Sequence, residues 1–152
     1  RQGLVEAALF GSGRPVLLIP SRAQPFSGGV IVLGWDATRA AVRAVHDALP
    51  LMREAENVVV VTVEDDKEPP ALAGGPAICE YLKTCAIDAR FRALPRQRNS
   101  VGDDLLFLAR DVGADLLVLG GFAHAREREF LFGSVTRDIF QSHLEIPVLL
   151  SH

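Results

Sequence analysis

Cysteine is scarce in this chain. The two that occur, Cys79 and Cys85, follow neither a C-x-x-C nor a zinc-ligand spacing. They read as free thiols in a reducing cytosol. The four histidines, His46, His124, His143 and His152, share no metal-ligand spacing either, so no dedicated metal site is expected. No apolar run approaches the roughly 20 residues needed to cross a bilayer. The first residues carry no secretory signal, although Arg1 is not an initiator Met and a cleaved signal would leave the same start. The expectation of a cytoplasmic protein therefore rests on the free thiols. Neither sign of charge is in large excess. The net charge of −3 gives no global field toward nucleic acid or anionic lipid. The enzyme signatures G-x-x-x-x-G-K-[ST], G-x-G-x-x-G, G-x-S-x-G and H-E-x-x-H are all missing. With no nucleophile–base pair and no metal cluster in view, catalysis is not expected, beyond at most a weak nucleotide hydrolysis.

What is present is the composition of a soluble globular domain, 49% hydrophobic and 23% charged. Its 152 residues suffice for one well-cored domain and a short extension. Five short Val-, Ile- and Leu-rich segments bounded by breakers read as buried strands: Val30–Trp35, Val58–Val63, Ala89–Leu94, Asp115–Gly120 and Ile146–Leu150. Near-continuous apolar runs mark burial on both faces, as in a parallel sheet covered by helices. Ala89–Leu94 differs, because Arg90 and Arg92 alternate with Phe91 and Ala93, which places it at a sheet edge. Arg96 and Arg98 continue this basic run. No aromatic platform interleaves it, so it reads as a solvated edge that discourages further pairing.

Helical patterns fall between the strands. Thr38 to about Arg53 carries the stripe Ala41, Val42, Val45, Leu49 and Met52, with Thr38 as N-cap and Pro50 expected to end or kink the helix. A second helix is expected around Ala77–Cys85. A third runs from Val101 to Val112, with Ser100 and Asp103 as a capping box and Gly113 as the C′ residue. A fourth covers Ser134–His143. Strands alternating with helices imply right-handed crossovers and a five-stranded doubly wound parallel sheet with helices on both faces.

One repeat stands out. Pro15-Val16-Leu17-Leu18 follows an apolar helical pattern (Leu4, Val5, Ala8, Leu9), and Pro147-Val148-Leu149-Leu150 follows another one domain length later. Either the match is a coincidence of a short motif, or residues 1–20 are the last helix and strand of a preceding copy. In the second case residues 21–29, with Pro25, Gly28 and Gly29, are a linker, residues 30–152 are a complete module, and Arg14–Pro20 pairs antiparallel with Ile146–Leu150 as an extra edge strand.

The densest chemical signal runs from Leu116-Leu117-Val118-Leu119-Gly120-Gly121-Phe122-Ala123 through a polar loop to Gly133-Ser134. A Gly-Ser pair opening a helix offers free N–H groups and the positive end of the helix dipole to an anion. The plainer reading is a tight turn with Ser134 as a cap. Asp36, following the first strand, can bind ribose hydroxyls or a base N–H at the switch point of the sheet, or simply cap the first helix. Val63 reads as core or as a wall beside an adenine. Arg126, Arg128 and His124 lie in the polar loop beside Glu127 and Glu129, which fits a solvated charged segment. Trp35 reads as packing.

The run Asp111–Gly120, the later Gly133-Ser134-Val135-Thr136 and the closing Ile146–Leu150 resemble universal stress proteins, over residues 30 to the end. The resemblance implies a Rossmann-like sheet of the adenine nucleotide alpha hydrolase-like kind and a stress-response regulatory module. It also implies a site for ATP or another adenine nucleotide, with magnesium only as the nucleotide's companion. The site residues would be Gly34, Trp35, Asp36, Val63, Gly120, Phe122, Ala123, Gly133, Ser134, Val135 and Thr136. Nucleotide-binding members carry G-x2-G-x9-G-[ST]; here Ala123 stands at the second glycine and adds a methyl where phosphates approach the backbone. The alternative is therefore an interaction or dimerisation module without ligand. The extension before Pro20 resembles tandem members, which implies a homodimer or an intramolecular pseudo-dimer through the last strand, with no nucleic-acid or membrane partner.

Overall fold

The computed structural model describes residues 2–64, 74–121 and 144–152. In chain order the elements are α1 (Gln2–Gly11), β1 (Val16–Leu18), β2 (Val30–Gly34), α2 (Arg39–Glu54), β3 (Asn57–Glu64), α3 (Gly75–Thr84), β4 (Ala89–Pro95), α4 (Val101–Asp111), β5 (Leu116–Gly120) and β6 (Val148–Ser151). The strands form one six-stranded sheet in the order β1-β6-β5-β2-β3-β4. β2 pairs in parallel with both β3 and β5, β3 with β4, and β5 with β6. β1 is antiparallel to β6, with Val16 opposite Leu150 and Leu18 opposite Val148. The expected doubly wound sheet and its extra antiparallel edge strand are both present. β4 lies at the other edge, as its alternating arginines indicated, with Arg90 and Arg92 exposed.

Alternation along the central strands divides the core in two. Ile31, Leu33, Val60 and Val118 face α2 and α3, where Ala44, Val45, Met52 and Leu82 meet them. Val32, Leu117, Leu119 and Leu150 face α4 and α1, through Leu105, Leu108 and Leu9. Fully burying a side chain of this size stabilises by about 1.5–3 kcal/mol, and these positions are almost all below a few percent exposed, so the central strands anchor the fold. At the amino end of β5, Asp115 accepts hydrogen bonds from Ser27 Oγ and Gly29 N–H, both at 2.8 Å, which ties the segment before β2 to the sheet.

Thr38 caps α2 as its sequence suggests, its Oγ1 accepting from Ala41 N–H at 3.2 Å. α2 runs to Glu54, one residue past the expected Arg53, so of the two effects expected of Pro50 it does not end the helix. The missing N–H leaves the carbonyl of His46 without its intrahelical partner. Met52, 1% exposed, holds the last turn against the core and outweighs that loss. Pro50 itself is exposed, so Pro50→Ala restores a donor without disturbing packing. It is expected to raise stability by about 1 kcal/mol or more in urea denaturation; a loss of stability would show that the proline is better accommodated than a regular turn.

α4 also departs in one detail. Ser100 Oγ accepts from Asp103 N–H at 3.1 Å, but Asp103 returns no bond among the described residues, so only half of the capping box forms. The carboxylate that organises this end is the next one, Asp104. Gly113, at φ +64°, closes α4 as expected, and Ala114 N–H donates to Ala109 O at 2.7 Å. The helix expected over Ser134–His143 lies outside the described residues.

Candidate functional site

The strand order reverses between β2 and β5, so their carboxyl ends open one crevice at the switch point. The approach to it is built from small residues. A Cβ on Gly34 would overlap Leu119 Cδ2 and meet Leu105 Cδ1 at 3.3 Å, so a larger residue there would displace the side chains packed between β5 and α4. A Cβ on Gly120 would overlap Ala41 N and stand 2.5 Å from Ala40 C and 2.8 Å from Ala41 Cα. The first turn of α2 therefore rests directly on the end of β5. Gly121 N–H donates to Ser151 O at 2.6 Å and carries the sheet one step further.

Beyond Gly34 the backbone is held from both sides. Trp35 N–H donates to Val61 O at 2.8 Å, and Thr62 Oγ1 donates to Trp35 O at 2.7 Å. The Trp35 indole is buried in the core facing α2 and α3, which confirms it as packing; what it gives the crevice is backbone. Its Nε1 has no partner among the described residues, and Gly74 makes room for it: a Cβ there would lie 2.8 Å away. Ala37 then adopts φ +60°, a left-handed conformation that turns the chain from strand into helix.

That turn displays Asp36. Its Oδ1 accepts from Thr38 N–H at 3.0 Å and from Thr38 Oγ1 at 2.6 Å. The residue is exposed, and no hydrogen bond from a described residue reaches Oδ2. Asp36 thus braces the loop, while Thr38 is the residue that caps α2. Val63, near the end of β3, is half-buried and packs against the core on the α4 face, so its first role is structural. The structure thus brings together Gly34, Trp35, Asp36, Val63 and Gly120 at one end of the sheet. Phe122, Ala123, Gly133, Ser134, Val135 and Thr136 lie outside the described residues, as do His124, Arg126 and Arg128.

Sequence reasoning missed two groups near this end. Thr62, 3% exposed, looks like any strand residue, yet its hydroxyl fixes the Trp35 carbonyl. Asp104, also 3% exposed, accepts from Gln97 N–H at 3.1 Å and Arg98 N–H at 3.4 Å and pairs with Arg98 Nη1 at 3.0 Å. The Arg98 guanidinium in turn lies 3.4 Å from the centre of the Phe107 ring. This cluster fixes the loop between β4 and α4, which opens on the same end of the sheet. No spacing in the sequence marks it, because the contact joins a loop to a helix turn.

Reactive groups are few. Cys79 and Cys85 are free thiols. Burial, reinforced by the negative charges of Glu80 and Asp88, pushes the Cys79 thiol up, which keeps it protonated and poorly nucleophilic. Among the described residues no group of three His, Cys, Asp or Glu is placed to hold a metal ion. No described helix is long and apolar enough to cross a membrane.

No protein-family model matches the chain, and no curated protein does. Solved structures match it by fold. A universal stress protein from Archaeoglobus fulgidus superposes with a TM-score of 0.69 at 16% identity, over 96% of this chain and 52% of that longer one. A universal stress protein in complex with cAMP gives 0.63 at 24% identity, over 82% of this chain and 96% of that one. A universal stress protein family member from Burkholderia pseudomallei gives 0.59 at 22% identity, over 83% and 98%. The chain has the universal stress protein fold.

Proposed function

We propose that this chain is a universal stress protein-type regulatory module of the stress response, cytoplasmic and non-enzymatic, that takes up ATP or another adenine nucleotide in the crevice at the carboxyl ends of β2 and β5. The observation that carries this reading is Asp36 at the switch point, with one carboxylate oxygen bracing the loop and the other unengaged by any described residue. A structure of the same fold holding cAMP supports an adenine ligand. The base and ribose would lie near Asp36 and Val63. The motif places the phosphates against the amides of Gly133 and Ser134, beside Phe122, Val135 and Thr136. Charge-assisted hydrogen bonds there contribute about 1.5–3 kcal/mol each. Magnesium would arrive only with the nucleotide.

Ala123 supports the second reading, an interaction module without ligand, since its methyl crowds the phosphates. Mass spectrometry of the denatured pure protein separates the two. The first reading expects a released adenine nucleotide, or uptake of added ATP that tightens about tenfold in Ala123→Gly. Protein that carries no nucleotide and fails to bind millimolar ATP in either form would establish the second.

The amino-terminal unit fits a tandem arrangement. In this reading residues 1–20 supply the last helix and strand of one module, residues 21–29 link, and residues 30–152 form the next. Two observations support it: the repeated P-V-L-L strands pair antiparallel as β1 and β6, and the match to the longer Archaeoglobus fulgidus protein extends to 96% of this chain, against 80–83% for the shorter neighbours. β1 then completes a pseudo-dimer within the chain and occupies the edge a last-strand homodimer would use. Neither nucleic acid nor membrane is a partner in this account.

A further inference from the structure

The solvent side of α2 carries a shallow depression of about 420 Å³, lined by Ala37, Arg39, Val42, Arg43, His46 and Asp47. Arg39, Arg43 and His46 fall at i, i+4 and i+7, so they share one helix face. Two guanidiniums one turn apart repel each other, at a cost of about 0.2–0.5 kcal/mol that a solvated helix avoids by alternating its charges. Arg39 has no hydrogen-bond or ion-pair partner among the described residues. Arg43 is held in place by a neutral group: its Nη2 donates to Gly13 O at 3.2 Å, in the left-handed turn that follows α1. His46 is steadied by the Tyr81 ring of α3, centroid to centroid at 5.7 Å. Val42, 42% exposed, gives the depression an apolar floor.

We propose that this depression binds a small polyphosphate anion, independently of the crevice at the strand ends. Each guanidinium presents a planar fork that takes a phosphoryl group bidentately, and two forks one turn apart suit a ligand with consecutive phosphoryl groups. The first turn of α2, where Arg39 sits, adds the positive end of the helix dipole. Asp47 flanks the depression and leaves it cationic, with two arginines against one carboxylate. The whole lining comes from Ala37 to Asp47, and the Gly13 and Tyr81 contacts steady Arg43 and His46 within it, which favours a small ligand over an extended chain.

A ¹H–¹⁵N titration of the full chain with tripolyphosphate tests this, with sodium chloride at equal ionic strength as the control. Saturable shifts are expected at the amides of Arg39, Val42, Arg43 and His46. The double substitution Arg39→Ala, Arg43→Ala should weaken the affinity read at those amides at least tenfold while the rest of the spectrum reports an intact fold. Shifts confined to other amides such as Gly120 and Gly121, shifts reproduced by the salt control, or a double variant that binds like the parent would each overturn the proposal.

Discussion

Gly120→Val is expected to destabilise the protein by on the order of 3 kcal/mol and to disorganise the crevice. The argument is steric. A Cβ at Gly120 points into the backbone of α2, overlapping Ala41 N and lying 2.5 Å from Ala40 C. Backbone cannot rotate aside as a flexible side chain does, so α2 must shift along most of its length or its first turn must open. Either response breaks the Thr38 cap and moves the loop that carries Asp36. Gly121 is the control: a Cβ there would meet Leu9 Cδ2 at 3.1 Å, the tip of a side chain that can adjust. Gly121→Ala should therefore cost well under 1 kcal/mol. Urea denaturation of the two variants decides the matter, and equal losses would show that the α2–β5 contact is not what constrains this end of the sheet.

Asp104→Ala is expected to cost about 3 kcal/mol. The carboxylate is 3% exposed and serves three donors, the amides of Gln97 and Arg98 and the Arg98 guanidinium. Removing it leaves two amides in the β4–α4 loop without their acceptor and strands the guanidinium beside Phe107. Arg98→Ala should cost less, about 1 kcal/mol, because Arg98 is one-third exposed at 33% and water replaces part of its contribution. The ordering is the diagnostic result. If Arg98→Ala cost as much as Asp104→Ala, the ion pair rather than the loop amides would dominate.

The sheet was largely legible in the sequence because its central strands are buried on both faces and read as unbroken Val, Ile and Leu runs. The β1–β6 pairing was legible for another reason, a short motif repeated one domain apart. The extent of α2 was legible from its apolar stripe, but that Pro50 would not stop it was not, because what holds the last turn is the burial of Met52, two residues before the helix end. At α4 the local rule chose Asp103, where the structure uses Asp104, since the loop folding back over the helix start is a tertiary event that no spacing encodes. In the candidate site Asp36 was legible as a residue after a strand and Gly120 as the last residue of one. Their physical roles were not: the shared oxygen of Asp36 and the contact of Gly120 with α2 depend on how the loop and the helix meet.

The central claim is that the switch-point crevice takes an adenine nucleotide with its phosphates on the Gly133-Ser134 amides. Calorimetric titration of the parent chain and Gly133→Val with ATP tests it most directly. The account expects saturable binding by the parent and none by the variant, because a branched side chain at position 133 would keep phosphate from the Gly133 and Ser134 amides. A Gly133→Val protein that binds ATP as well as the parent would place the nucleotide elsewhere and contradict the account.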